Sequence, residues 1–291
     1  MKLVQFSLPG KGKRVGLVQG DRVLDITCPE EDVRSTLDLV AQGKSAVGLV
    51  SRGTWLAKRL HRRPLEYREL QRAPSRRAPH LVMPIDPPEI WGGTWNGAVE
   101  SGSVESGTRP SIFFKGTAAR AVGPTAPVVI RHDSHLTVPE AGVAAVLGTD
   151  GEVVAFTACD DITARDIALG HPGHFSQAKV YRGSFALGPC LVTSEEFGDP
   201  RPLQVRCSMV RGDGPIFSGA TATVGLPRRL EELATWLGLA NPPLAGMVVF
   251  VMAGIEIPDA HALRDGDRVE VEVQGIGRIG NPVRKDDTLS R

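Results

Sequence analysis

Glu140, in PEAGVAAVLG, and Asp161, in CDDITARD beside Asp160, are the acids most suited to chemistry. Glu140 reads as leaving a turn for a buried strand, and Asp161 reads as ending the next strand. Carboxylates gathered at neighbouring strand ends suit Mg²⁺ or Mn²⁺, hard ions that take oxygen ligands and keep water. Such a site usually has a third acid. The position two after Glu140, which strand alternation puts on the same face, is Gly142. The same acids also fit a plainer reading as solvated caps of turns.

Four other features bear on the same question. In QAKVYRGSFALGP, Lys179 and Tyr181 alternate as in a strand and so share a side. A lysine beside acids can neutralise an enolate or a substrate carboxylate, or it can be a surface charge. Lys115 ends the apolar run of RPSIFFKG, pointing either into a site or to its rim. His171 and His174, in GHPGHF, are either acid/base groups or incidental to a loop. In GIGRIGNPV the glycines do not follow a strand and open a helix, so a dinucleotide fingerprint is excluded. A turn with close backbone approach fits better. There is no phosphate-binding loop, nucleophile elbow or HExxH pair.

The elements that must position these residues are mostly strands. KLVQFS and RVGLVQGDRVLDI alternate, with Gly20-Asp21 as a hairpin turn. Helical patches follow in EEDVRSTLDLVAQG and SRGTWLAKRLHRR, then the unpatterned LQRAPSRRAPH, read as a linker. Beyond it, strands are expected in EIWGGT, SIFFKG, VVIR, GVAAVLG, EVVAFTAC, ALGPCLVT, LQVRCSMVRG, MVVFVMAG and RVEVEVQGI. A helix is expected in LPRRLEELATWLGLA, where Leu230, Leu233, Trp236 and Leu237 share a face, and a short one starting at Thr163 with Thr163 or Asp161 as cap. The expected fold is α+β and mainly β. It divides into a small N-terminal α+β domain over residues 1–80 and a larger, catalytic-type domain over 81–291.

Composition narrows the function classes. The 291 residues carry 34 Lys and Arg against 33 Asp and Glu, a net charge of +1 that calls for neither nucleic acid nor an anionic membrane. The N-terminus turns polar before an apolar signal core can form, and the longest apolar run, LAGMVVFVMAGIEI, is broken by glycines. The four cysteines (Cys28, Cys159, Cys190, Cys207) have no zinc spacing and read as buried free thiols, so a cytoplasmic protein is expected. Cys159 stands next to the acidic pair.

In order, FFK, the acidic strand ending in VLG, DDITARD, QAKVYRGSFALGP, SGATAT with its helix, and LRDGDRVEVEVQGIGRIGNPV resemble the fumarylacetoacetate hydrolase superfamily over nearly all of residues 80–285. RVGLVQGDRVLDI looks like that family's small leading domain. PSIFFKG, TVPE and QAKVYRGSFALGP are most similar to the branch of 2-keto-3-deoxy sugar-acid dehydratases and diketo-acid hydrolases. The resemblance implies a mixed β-roll, a homodimer, one Mg²⁺ or Mn²⁺ per subunit, and a small 2-oxo or 1,3-dioxo acid as substrate. The metal would chelate the substrate's keto acid and stabilise an enolate during dehydration, C–C hydrolysis or decarboxylation. The implied ligands fall on Glu140, Gly142 and Asp161. Arg165 and Lys179 fall on the family's arginine and substrate-facing lysine, with Tyr181 assisting orientation. Lys115, His171, His174 and Ala253 fall around the substrate.

The chain departs from that pattern where it matters. Gly142 offers no side-chain oxygen. Val251-Met252-Ala253-Gly254 replaces a Thr-Gly-Thr-Gly turn and loses its hydroxyls. Ala98 stands where the hydrolases carry a histidine, and the stretch from Trp95 to Arg109 is short. Three readings stay open. A metal binds through Glu140, Asp161 and substrate oxygens, helped by Asp160 or an acid between Glu100 and Glu105. Alternatively, a roomier, more apolar, metal-free pocket uses Lys179, Tyr181, His171 or His174 for proton transfer. Or the chain is a non-catalytic binding relative in which Glu140, Asp161, Arg165 and Lys179 persist as an ion cluster. Lys179 bridging the acids with no space for an ion favours the last, and a water-filled pocket favours catalysis.

Overall fold

The computed structural model describes residues 1–94, 109–198, 203–223, 226–239 and 241–287. An antiparallel meander comes first: β1 (Lys2–Leu8), β2 (Gly12–Gln19) and β3 (Arg22–Asp25), with the β2–β3 turn at Gly20. Helices α1 (Thr36–Gly43) and α2 (Ala46–Arg59) follow. Ser35 and Ser45 start them by accepting bonds from backbone amides of the first turn. Short pieces β4 (Leu65–Glu66), α3 (Tyr67–Leu70) and β5 (His80–Leu81) lead to β6 (Ile90–Thr94) and β7 (Ser111–Gly116). Next come β8 (Ala121–Val122), β9 (Val128–Ile130) and the long hairpin β10 (Thr137–Leu147) and β11 (Val153–Ala164). After α4 (Arg165–Gly170) and α5 (Phe175–Lys179) run β12 (Phe185–Thr193) and α6 (Ser194–Phe197). Then come β13 (Leu203–Arg211), β14 (Gly214–Thr223), α7 (Leu226–Gly238), β15 (Val248–Met252), β16 (Arg268–Val273) and β17 (Gly277–Lys285).

Among the described residues, twelve strands form one sheet with the path β4-β3-β2-β1-β12-β11-β10-β15-β6-β7, and five form a second, β14-β13-β16-β17-β9. The large sheet runs across the chain position near 80, because β1 pairs with β12. It is apolar on both faces. One face packs on the small sheet and α7, through residues such as Val143, Ala158, Cys207, Val271 and Leu233. The other is covered by α1 and α2, with Ala144, Ala155, Leu187, Phe250, Leu39 and Leu56. Central strands buried on both faces read as continuous apolar runs, which is why GVAAVL and VVAFTAC lack alternation.

The structure corrects three local expectations. Glu140 lies inside β10, which has already begun at Thr137, rather than in a turn before it. β11 continues through Asp160, Asp161 and Thr163, so the helix starts at Arg165 and neither Asp161 nor Thr163 caps it. Ladder partners on both sides hold this stretch extended: Asp160 opposes Ala141 and Ala186, and Asp161 opposes Glu140 and Phe185. Finally, Lys179 ends a short helix and Tyr181 lies in the turn after it, with the Val180 amide donating to the Ser176 carbonyl at 2.8 Å. SGATAT and GRIGNPV belong to the strands β14 and β17.

All four cysteines are buried free thiols. Burial pushes the Cys190 thiol up to about 12 and Cys159 and Cys207 upward too, away from the reactive thiolate. Native protein at neutral pH should therefore give no rapid reaction with dithionitrobenzoate, and the unfolded chain should give all four thiols. Prompt labelling of the native protein would contradict the burial described.

Candidate functional site

β10 and β11 pair so that Glu140 opposes Asp161 and Gly142 opposes Cys159. Directly opposed residues share a face of the sheet, so Glu140, Gly142 and Asp161 all face the helix-covered side. Asp160 faces the other way, into the core between the sheets.

Three elements bring cations and a hydroxyl to the two acids. Lys179, the last residue of α5, donates to Glu140 Oε2 at 2.6 Å, Asp161 Oδ2 at 2.8 Å and Thr163 Oγ1 at 2.6 Å. Thr163, two residues after Asp161, also donates to Glu140 Oε2 at 3.0 Å. Lys115, on β7, places Nζ 2.7 Å from Asp161 Oδ1, an ion pair in distance though not aligned as a hydrogen bond. Its ammonium also bonds the backbone carbonyls of Lys179 and Ile162. Asp161 and Lys115 are fully buried and Lys179 is 6% exposed, whereas Glu140 is 25% exposed and forms the open edge of the cluster. Among the described residues Glu140 Oε1 has no hydrogen-bond partner.

Charge follows from these contacts. Burial opposes ionisation of Asp161, but the ammoniums of Lys115 and Lys179 outweigh it and hold the carboxyl below its usual range. Burial likewise opposes charge on Lys179, and Asp161 and Glu140 outweigh it, so Lys179 stays above its usual range. Lys115 goes the other way: burial prevails over Asp161 and pulls it down to about 8.

The remaining candidate residues lie around or away from the cluster. Tyr181 donates from its hydroxyl to the Ile162 carbonyl at 3.3 Å, and its ring lies 5.9 Å from Lys115 Nζ. Arg165 bonds the Ile257 carbonyl at 2.9 Å and Asp259 at 2.6 Å rather than either clustered acid. His171 and His174 are exposed on the turn before α5, with ring centroids 5.2 Å apart and tilted by 48°, and the His171 ring accepts from the Gly173 amide. Ala253 is buried in the core between the sheets, and its amide donates to the Ala141 carbonyl at 2.8 Å. Met252, which opposes Gly142, is the residue of that turn on the cluster's face. Glu100, Glu105, Ala98 and Trp95 lie outside the described residues. Sequence reasoning missed the role of Thr163 and gave Lys115 no partner. Alternation along Asp161-Ile162-Thr163 would have found the first, once the strand was known to continue.

The arrangement does not fit a divalent ion. Among the described residues no three His, Cys, Asp or Glu side chains are placed to share one. The pair that is present already holds the Lys179 ammonium. A Cβ on Gly142 would lie 2.5 Å from the Val251 carbonyl oxygen and 3.1 Å from Cys159 Sγ, so β15 stands where a third ligand would begin.

Comparison with known proteins assigns the family. The description "Fumarylacetoacetate (FAA) hydrolase C-terminal" matches residues 96–284, and the chain belongs to this family. It is similar to the 2-dehydro-3-deoxy-D-arabinonate dehydratase of Saccharolobus solfataricus, with 34% identity over 70% of this chain and 74% of that one. It is also similar to a mitochondrial oxaloacetate tautomerase of Bos taurus, with 26% identity over 97% and 91%. A solved 2-keto-3-deoxy-D-arabinonate dehydratase complexed with magnesium and 2,5-dioxopentanoate superposes with a TM-score of 0.80, at 27% identity, over 98% of this chain and 99% of that one.

Asp160 supplies a pH test of the strand parity. Neither of its carboxyl oxygens has a hydrogen-bond partner among the described residues. Burial, then the charge of Asp161, push it up from 3.8 to about 8. A raised carboxyl contributes stability that is complete below its unfolded value and lost as pH rises to the folded one. Asp160→Asn stays neutral throughout, so its melting temperature relative to wild type should climb between pH 3.8 and about 8 and then level off. Parallel melting curves for the two proteins across that range would show that Asp160 is not buried as described.

Proposed function

We propose that the chain is an enzyme that moves a proton at the carbon beside the carbonyl of a small 2-oxo acid. Dehydration of a 2-keto-3-deoxy sugar acid is the first form to test. The observation that carries this reading is the nearly buried Lys179 ammonium, held by Asp161 and Thr163 beside the exposed edge of Glu140. The relatives' names support the substrate class, since a dehydratase of a 2-keto acid and an oxaloacetate tautomerase both need an enol or enolate.

Each residue then has a chemical role. Glu140 is the base at the open edge and takes the proton. Negative charge develops on the carbonyl oxygen, and Lys179 meets it by exchanging its bond to the neutral Thr163 hydroxyl for one to the enolate. Asp161 and Lys115 are positioning residues that keep Lys179 charged and in place. In dehydration the enolate expels a hydroxide from the next carbon, which takes the proton held on Glu140, so the net loss is water. In tautomerisation the proton simply returns. In this reading His171 and His174, on the exposed turn before α5, meet the substrate's outer end. Arg165 and Tyr181 shape the approach through Asp259 and the Ile162 carbonyl. A cytoplasmic homodimer goes with this reading.

The same ion pairs also support a second reading, a binding relative in which the cluster is structural. A panel of 2-keto-3-deoxy acids and oxaloacetate, followed by loss of substrate and exchange of α-protons with D₂O, separates the two. Turnover is expected, and Lys179→Met should lower kcat/KM by about 10²–10³-fold, the usual effect of removing one donor to a developing oxyanion. Absence of turnover and exchange across the panel would favour the second reading. Turnover untouched by Lys179→Met would remove Lys179 from the mechanism.

A further inference from the structure

We infer that the Lys179 ammonium permanently occupies the position a divalent cation would take between Glu140 and Asp161, and that the backbone of β15 closes the place where a third acid would begin, so this chain holds its two carboxylates without a metal ion. The inference concerns binding and stands whether or not the chain is an enzyme.

Sterics give the first argument. Gly142 is the residue whose side chain would complete a set of three acids on this face. A Cβ there would meet the Val251 carbonyl oxygen at 2.5 Å, the Val251 carbonyl carbon at 3.2 Å and Cys159 Sγ at 3.1 Å. Two of these atoms are backbone and cannot swing aside. The closure is built from paired strands: β10 and β15 pair from Gly142↔Met252 to Val146↔Val248, and the Ala253 amide continues the ladder to the Ala141 carbonyl. Met252, the neighbour on this face, offers no oxygen.

Charge gives the second. Two carboxylates stand against two ammoniums, and Asp161 has one oxygen on each lysine. Among the described residues a divalent ion would enter a cluster with no net negative charge left to attract it, close to Lys179. It would have to displace an ammonium whose three hydrogens already have acceptors at 2.6–2.8 Å. The third argument is geometric. Asp160, the nearest other acid in sequence, points through the sheet to the opposite face and cannot join the pair.

The test uses the full-length protein after EDTA treatment, with Mn²⁺ followed by electron paramagnetic resonance and Mg²⁺ by thermal shift. Expected are no saturable Mn²⁺ binding up to about 1 mM, the weak end of protein sites built from oxygen ligands, and an unchanged melting temperature in Mg²⁺. Lys179→Met, which leaves both acids without their ammonium, should gain Mn²⁺ affinity and a melting temperature that rises with Mn²⁺. Saturable binding to wild type that Glu140→Gln or Asp161→Asn abolishes would overturn the inference. This titration decides the matter even if Lys179→Met does not fold. Because the readout is ion binding, it is independent of whether any 2-oxo acid is turned over.

Discussion

The structure is organised around one buried carboxylate, Asp161, which lies in a central strand between two lysines. Isolating an ionised carboxylate in an apolar interior is prohibitive, and pairing it repays the desolvation only when every oxygen has a partner. Here the partners come from far apart in the chain. Lys115 arrives from β7, Lys179 from α5, and Glu140 and Thr163 from the β10–β11 hairpin. Removing either lysine leaves the buried Asp161 charge short of a partner, and breaking a buried pair in this way costs about 3–5 kcal/mol in comparable cases. The position of α5 and the course of β7 are therefore tied to the same few atoms. α5 adds a second anchor of its own, since Phe175 packs edge-on against Phe113, two residues before Lys115 on β7.

Strand parity divides the two adjacent acids between different environments. Asp161 faces ammoniums and stays ionised. Asp160 faces apolar residues from both sheets, and neither of its oxygens is satisfied among the described residues. Two carboxylates one bond apart along the backbone thus have opposite preferences for a proton, with the sheet between them. Lys115 shows the same competition in a cation. It is fully buried beside Asp161, and burial, with the nearby Lys179 charge adding to it, prevails over that acid.

Much of the fold was legible because it rests on local signals: β-branched runs, the Gly20-Asp21 turn, and the leucine face of α7. The failures occur where tertiary pairing overrode local chemistry. CDDITARD looks like a strand end followed by a helix cap, yet ladder partners on both sides carry β11 to Asp161 and β10 carries it on to Ala164. QAKVYR alternates like a strand, yet it closes a helical turn that aims Lys179 inward. Glu140, Asp161 and Lys179 were legible as a group through family resemblance. Thr163 and the partner of Lys115 were not, because both depend on a continuation of β11 that no local pattern signals. Ala253 shows the same limit, since one step along the turn separates the core between the sheets from the cluster's face.

Gly142 joins these themes. From the sequence it is a missing ligand, a deletion in an otherwise intact set. In the structure it is a close contact: β15 lies so near β10 that no side chain fits, and the apolar Met252 lies opposite. The two departures from the resembled pattern, Gly142 and Val251-Met252-Ala253, therefore meet at one β10–β15 contact. Lys179 and Lys115 remain to balance the two acids that are left. That balance is what a site needs if it is to stabilise an enolate with ammonium alone. The cation must be fixed by carboxylates it does not leave, while one of its bonds goes to a neutral group that a substrate oxygen can replace. In the proposed function Thr163 is that group, and its bond to Glu140 ties the hydroxyl to the acid at the open edge.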